Sequence, residues 1–478
     1  MSRVPAALWV VLAAGVAIRL FFMLSYRPAF FGIPDELGYA NAAREDLFGD
    51  PLRTGSYALF LRVVHAFDAD LSATVVVQHA LGVAAALLLY MAVRRVGGPA
   101  WLGVLPAAIV LLGGTQIWLE HSLMSESIFT PLVAATLWCC VRSLDGREWE
   151  WLAFAGLLAG LAIAVRPAGF LLPLGIALWI ATWPGRGLRL RAAHAALVPV
   201  VAAVPVMAYF FAHDASRYHH FGFARGEGWS IYARVAEFAR CDRFEPPAGT
   251  RLLCEESPPS ARPSANYYLY GGPAASPAAR LYTGIPNGSA QLRAFAVRAI
   301  VHQPLDYGRV VLRDTLRAAG PSHWRRRGMG ETTPDLIAEL RDPYREGFAL
   351  AAIPRYWSTR GFLRRNVSFL ESYGRRARVE GLLTGIFAAV TMLGLVASRG
   401  RLRRGVALFG SAALALLVGP AATLFYSVRY ATPAYGPLAA GAALSLPALW
   451  DLASRPASAA RRWRAARGRR RPSARRAP

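Results

Sequence analysis

Lysine is absent from these 478 residues, so all 54 basic side chains are arginine. With the abundant Ala, Gly and Pro, that points to a GC-rich bacterial genome more than to any chemistry. Charge is scarce: 17% of residues are charged, against ~25% in ordinary globular proteins. Cysteine is nearly missing, and four residues exclude a compact disulfide scaffold. No Walker loop, dinucleotide fingerprint, G-x-S-x-G motif or internal repeat occurs. What is abundant is apolar. Hydrophobic residues make up 55% and the mean hydropathy is +0.31, which excludes a disordered or collagen-like chain. A soluble chain of this length would form roughly three domains; this composition describes a membrane protein.

A bilayer-crossing helix needs ~20 mostly apolar residues. Such windows sit near residues 5–24, 72–93, 99–118, 123–141, 149–165, 167–184, 193–212, 379–397, 405–424 and 433–450. The expectation is an all-α polytopic membrane bundle of about ten spans. The first window lacks a small-residue cleavage site and a strongly basic start, so it reads as an uncleaved span.

Arginine alternates between the short loops. Arg94, Arg95, Arg142, Arg147, Arg186, Arg189, Arg191, Arg399, Arg401, Arg403 and Arg404 fall on one side, with the Arg-rich tail. The positive-inside rule puts that side, and both termini, in the cytoplasm. The segment from about residue 212 to 378 is also Arg-rich, but long translocated segments escape the rule. The organisation is then a seven-span module (1–212) with an acidic first outer loop, an extracytoplasmic loop domain (213–378), C-terminal spans (379–450) and a basic cytoplasmic tail (451–478). The loop domain alternates Pro/Gly-rich stretches with helix-like pieces at 291–302 and 306–319. In the first of these, Leu292, Phe295, Ala299 and Ile300 recur at helical spacing, which fits a helix on the membrane surface or packed on the bundle. The tail is drawn to anionic lipid headgroups; no reading module accompanies it, so nucleic acid is not an expected partner.

The residues able to do chemistry gather at the outer face. The first outer loop reads Gly32-Ile33-Pro34-Asp35-Glu36-Leu37-Gly38-Tyr39. Adjacent carboxylates there can take a proton from a hydroxyl or hold a divalent metal; they can equally well occupy the first turn of a helix after Pro34. The second outer turn carries Glu120, His121, Ser125 and Glu126, and a carboxylate beside a span is costly unless paired or wetted. Arg166-Pro167 precedes the sixth span, where the Arg could bind an anion or merely snorkel. Arg429-Tyr430 brings a second Arg to the same face. Arginine binds phosphate through several donors at once, so two of them near carboxylates suggest an anionic lipid headgroup. Cys241 and Cys254 lie in the exported loop, an oxidising setting that favours a disulfide. His219-His220 has no partner at metal-ligand spacing and reads as surface.

Together these motifs resemble the integral-membrane GT-C glycosyltransferases. The likeness is to the protein-mannosyltransferase and aminoarabinose-transferase-like group, which uses polyprenyl-phosphate sugars. It is carried by Pro34-Asp35-Glu36 with Tyr39 and Ala42-Ala43, by Ser125-Glu126, by Arg166-Pro167, and by Arg429-Tyr430 with Pro433. The stretch Arg53-Thr54-Gly55-Ser56-Tyr57 departs from the group, whose members often show His-Pro-Pro or Pro-Gly-Tyr-Pro-like segments there. The resemblance implies transfer of one sugar from a polyprenyl-phosphate donor to a glycan, lipid or protein hydroxyl, by inverting displacement, outside a bacterial plasma membrane. Asp35 would be the general base, with Glu36 assisting acceptor orientation or metal binding and Glu126 shaping the site. Arg166 and Arg429, beside Tyr39 and Tyr430, would hold the donor phosphate. Two rivals stand: a lipid-linked glycan polymerase or ligase, and a transporter or flippase. The latter predicts charge in the middle of spans.

Overall fold

Long apolar runs become long helices, and among the described residues six of these are apolar and long enough to cross a membrane. They are α1 (Ala6–Ser25), α4 (Leu71–Val96), α7 (Glu126–Arg142), α8 (Glu148–Val165), α10 (Leu188–Asp214) and α19 (Gly400–Thr423). A pair bent by 47°, α5 (Ala100–Leu112) and α6 (Gly114–His121), makes a seventh if counted as one span. The other three of the ten windows are helical but fall short of that test. Helices α9 (Leu172–Ala181) and α18 (Leu382–Ala397) are shorter, and α20 (Val428–Gly468) dilutes its apolar stretch with Pro437, Pro447 and Asp451. This computed structural model describes residues 4–31, 34–183, 185, 187–320, 356–358 and 361–468. Gly32, Ile33, Arg186 and tail residues 469–478 lie outside the described residues.

Local chemistry sets the helix ends and contacts. Asp70 caps α4 by accepting from the Ser72 N–H at 2.8 Å, and Gly97 ends it in the left-handed region at φ 108°. Helices α8 and α10 meet at small residues: a Cβ on Gly160 would lie 2.2 Å from the Ala202 carbonyl oxygen. Close backbone approach of this kind is how helices pack where lipid supplies no hydrophobic drive. Polar side chains inside the bundle satisfy one another. Arg19, on α1, donates to Glu120 at 2.8 Å and to the Leu111 carbonyl at 2.6 Å. His79 Nδ1 lies 2.9 Å from Glu120, and His79 Nε2 lies 3.1 Å from His121. Gly82 makes room for this carboxylate, since a Cβ there would lie 1.8 Å from Glu120 Oε1. Ionisable groups therefore sit within the spans as well as at their ends, which the sequence did not suggest; they lie toward the acidic-loop end and are paired.

Outside the spans, α2 (Pro34–Arg44) and α3 (Gly55–Phe67) cover one end of the bundle. A second core forms there from α11 (Glu227–Ala236), α12 (Ala265–Tyr270), α13 (Gly272–Ala275), α14 (Pro277–Tyr282), α15 (Ser289–His302) and α16 (Pro304–Arg317). Trp229, Tyr232, Phe244, Tyr268 and Phe295 fill it, and Phe425, just before α20, and Tyr430, in the first turn of α20, join them. The apolar face of α15 turns into this core: Leu292, Phe295 and Ala299 are all buried in it. Cys241 and Cys254 are joined as a disulfide with Cα atoms 5.9 Å apart. Buried Arg234 ties α11 to α16 through Asp314 at 2.5 Å. Strands β1 (Tyr26–Arg27) and β2 (Leu363–Arg364) pair antiparallel, linking the end of α1 to the chain before α17 (Val367–Arg376).

Candidate active site

The bundle and the second core meet around a cavity of about 500 Å³. Its polar end is walled by Asp35, Tyr39, Arg53, Arg166, Arg429 and Tyr430; Glu227, Ser230, Leu269, Tyr270 and Arg293 line the side given by the second core. Residues hundreds of positions apart are thus brought to one place.

Asp35 lies in the first turn of α2, where Pro34 starts the helix. Its two carboxylate oxygens each accept from a guanidinium, one from Arg53 and the other from Arg429. Burial alone would raise the carboxyl, but Arg429 and Arg53 outweigh it and hold Asp35 well below the usual carboxylate range. Arg53 is anchored in turn by Asp50 at 2.6 Å. Glu36, one residue on, is fully buried and does not line the cavity. Successive residues diverge by ~100° around a helix, so only one of two adjacent acids can face one cavity. Here that one is Asp35.

A second ion group stands beside the first. Arg166 caps the end of α8 and meets Glu126 at 2.7 Å and Ser125 Oγ at 2.9 Å. Glu126, on the first turn of α7, also lies 3.6 Å from Arg429, just behind the cavity wall. The Tyr430 ring lies between two cations, 5.1 Å from Arg166 and 4.8 Å from Arg429. The Tyr39 hydroxyl donates to Ser125 Oγ at 3.0 Å. Burial first, and then the Asp35 and Glu126 carboxylates against Arg166, push its phenol up to about 12.

Of the residues singled out from sequence, Asp35, Tyr39, Arg166, Arg429 and Tyr430 line one cavity and Glu126 supports it. Cys241, Cys254 and Glu36 do not line it. Arg53 lay in the stretch where the motif departs from the group, so its role carried no signal. Among the described residues no three His, Cys, Asp or Glu side chains are placed to share a metal ion, and Asp35 is already committed to two cations. The donor set does not fit a divalent metal. It does fit a phosphate, since arginines around a buried carboxylate can exchange one anion for another.

Residues 56–210 match a family model described as dolichyl-phosphate-mannose-protein mannosyltransferase. The match takes in Glu126 and Arg166 but leaves Asp35, Arg53 and Arg429 outside. No curated protein matches the chain. Among solved structures, the chain is similar to a protein O-mannosyltransferase complex of S. cerevisiae bound to its sugar donor. The identity is 14%, over 44% of this chain and 33% of that one, with a TM-score of 0.36. It is similar to the oligosaccharyltransferase AglB of Archaeoglobus fulgidus, in complex with an inhibitory peptide and a dolichol-phosphate, at 13% identity over 99% and 52% of the two chains (TM-score 0.49). It is also similar to ArnT of Cupriavidus metallidurans bound to undecaprenyl phosphate, at 15% identity over 93% and 78% (TM-score 0.36). The chain spans about a third of the first of these and about half of the second. Family match and motifs agree on a likeness to membrane-embedded GT-C glycosyltransferases.

Proposed function

We propose that this protein moves a single sugar from a polyprenyl-phosphate donor to a hydroxyl acceptor at the outer face of a bacterial plasma membrane. The observation that carries the reading is one buried carboxylate, Asp35, held between Arg53 and Arg429 in a cavity of small-ligand size, with Arg166 beside it. Arg429 and Arg166 take the donor phosphate, and Tyr430 between them keeps both guanidinium planes in place. Phosphate competes with Asp35 for Arg429, so donor binding releases a carboxylate oxygen toward the acceptor.

The acceptor oxygen then attacks the anomeric carbon from the face opposite the phosphate. Its proton passes to Asp35 as the new glycosidic bond forms, while the bond from the anomeric carbon to the phosphate oxygen breaks. The polyprenyl phosphate departs with its electron pair and one more negative charge, which the arginines stabilise. The cations that lower Asp35 make it a weak base, so proton transfer comes late, when the attacking oxygen has become acidic. Inversion follows from a single displacement, as the resemblance implies.

Replacing Arg429 by Lys keeps the charge but loses the planar fork, so the donor KM rises and turnover falls. Transfer from a synthetic polyprenyl-phosphate hexose in proteoliposomes measures both. Unchanged constants in Arg429→Lys and Arg166→Lys would leave the phosphate without its partners and overturn the reading. Mass spectrometry of lipid-linked sugars and glycans in a deletion strain identifies sugar and acceptor; accumulation of a lipid-linked oligosaccharide would favour a polymerase or ligase instead.

A further inference from the structure

The ion pairs of the cavity are held from behind by a side chain that never reaches it. Gln78, on α4, is fully buried. Its Nε2 donates to the main-chain carbonyls of Glu120 and Ser122, each at 2.9 Å. Its Oε1 lies 2.6 Å from the Tyr57 hydroxyl and 2.6 Å from the Ser127 hydroxyl. The partners fix the orientation of the amide. Carbonyl oxygens only accept, so the amide NH₂ must face Glu120 and Ser122, and the oxygen then faces the two hydroxyls. Two donated and two accepted bonds fill the capacity of a glutamine side chain.

Those four partners are the supports of the site. The Glu120 carboxylate is fixed by Arg19, His79 and Gln116, which makes its main chain a firm post. Ser122 and Ser127 bracket the turn that aims Ser125 at Tyr39 and Arg166, and Glu126 at Arg166 and Arg429. Tyr57 stands edge-on to the Tyr39 ring, with centroids 4.7 Å apart. One amide therefore sets the 122–127 turn and Tyr57 relative to each other.

We propose that Gln78 is a positioning residue: it fixes Glu126, Ser125 and Tyr39 so that Arg166 and Arg429 are aimed at the donor phosphate before it arrives. This rests on the donor-site reading above.

The test uses the full chain in nanodiscs, with undecaprenyl phosphate as the probe. Gln78→Glu keeps one oxygen toward the Tyr57 and Ser127 hydroxyls but turns its second oxygen, an acceptor, toward the two carbonyls unless it is protonated. At pH 8 its affinity relative to the parent protein falls at least tenfold. The ratio recovers as pH drops to 5.5, when the carboxylic acid regains a donor. Gln78→Met, which keeps the length and loses all four bonds, is weakened at both pH values with no recovery. Thermal unfolding without ligand is recorded alongside. A Gln78→Glu protein that binds like its parent at pH 8, or one whose loss is independent of pH and simply follows a lowered unfolding temperature, overturns the inference. If the parent protein binds no undecaprenyl phosphate, the donor-site reading fails and takes this inference with it. If the parent binds and both variants bind equally well, the inference alone fails.

Discussion

At the scale of single residues the decisive feature is how Asp35 is charged. Asp35→Asn keeps size and some hydrogen bonding but removes basicity, and it takes one carboxylate partner from both Arg53 and Arg429, leaving them Asp50 and Glu126. The variant therefore inserts normally and holds donor at least as well as its parent, while transfer falls by about two orders of magnitude or more. Initial rates set against donor affinity check this; wild-type transfer by an inserted Asp35→Asn protein would end the general-base assignment. On the general-base assignment the ionised form is the active one, and Arg429 and Arg53 keep it ionised far into acid. The depressed carboxyl adds stability above its unfolded value near ~3.9, and this is lost only as pH falls through the lower folded value. So kcat/KM shows no acid limb from Asp35 between about pH 7 and pH 4. In Arg53→Gln one cation no longer opposes burial, and an acid limb enters that range. Rates measured across it in the two proteins decide the point.

At the scale of elements, the α8–α10 contact depends on glycine. Gly160→Leu would drive a side chain into the Ala202 carbonyl, and overpacking of this sort costs about 1–3 kcal/mol. The unfolding temperature in detergent should fall for both Gly160→Ala and Gly160→Leu, more for Leu than for Ala; an unchanged temperature in both would show that the close contact is not needed. The long spans were legible because their apolar runs are long enough to cross a bilayer, and Asp35, Arg166 and Arg429 stood out as candidates because they fall on the side where the short loops carry little other Arg. Arg19 was not, since it sits inside an apolar run and its partner Glu120 is 101 positions away. Arg53 was hidden by a loop whose wording differs from the family's. Gln78 was hidden because nothing about a lone glutamine in an apolar helix tells which carbonyls will face it. The broken span at Gly113 escaped for a related reason: composition counts apolar residues and says nothing of the 47° turn between them.

At the scale of the whole molecule, the proposed orientation sets the disulfide domain outside and the α18–α19 link inside. Leu252 and Arg403 are both exposed, so Leu252→Cys should react with an impermeant thiol reagent on intact cells, and Arg403→Cys only after the membrane is opened. The reverse pattern would put the cavity in the cytoplasm and remove the proposed reaction from the outer face. The cavity also has a history in time. Asp35 and Arg429 are 394 positions apart, and at ~5–20 residues per second a ribosome takes roughly 20–80 s to pass from one to the other. For most of that interval the emerging chain has Asp35 and Arg53 but neither Arg429 nor Tyr430, so on the proposed reading its phosphate clamp is half built. On the proposed reading, competence to handle a donor arrives with the last long helix, and a chain truncated before residue 429 lacks one of the two arginines assigned to the phosphate.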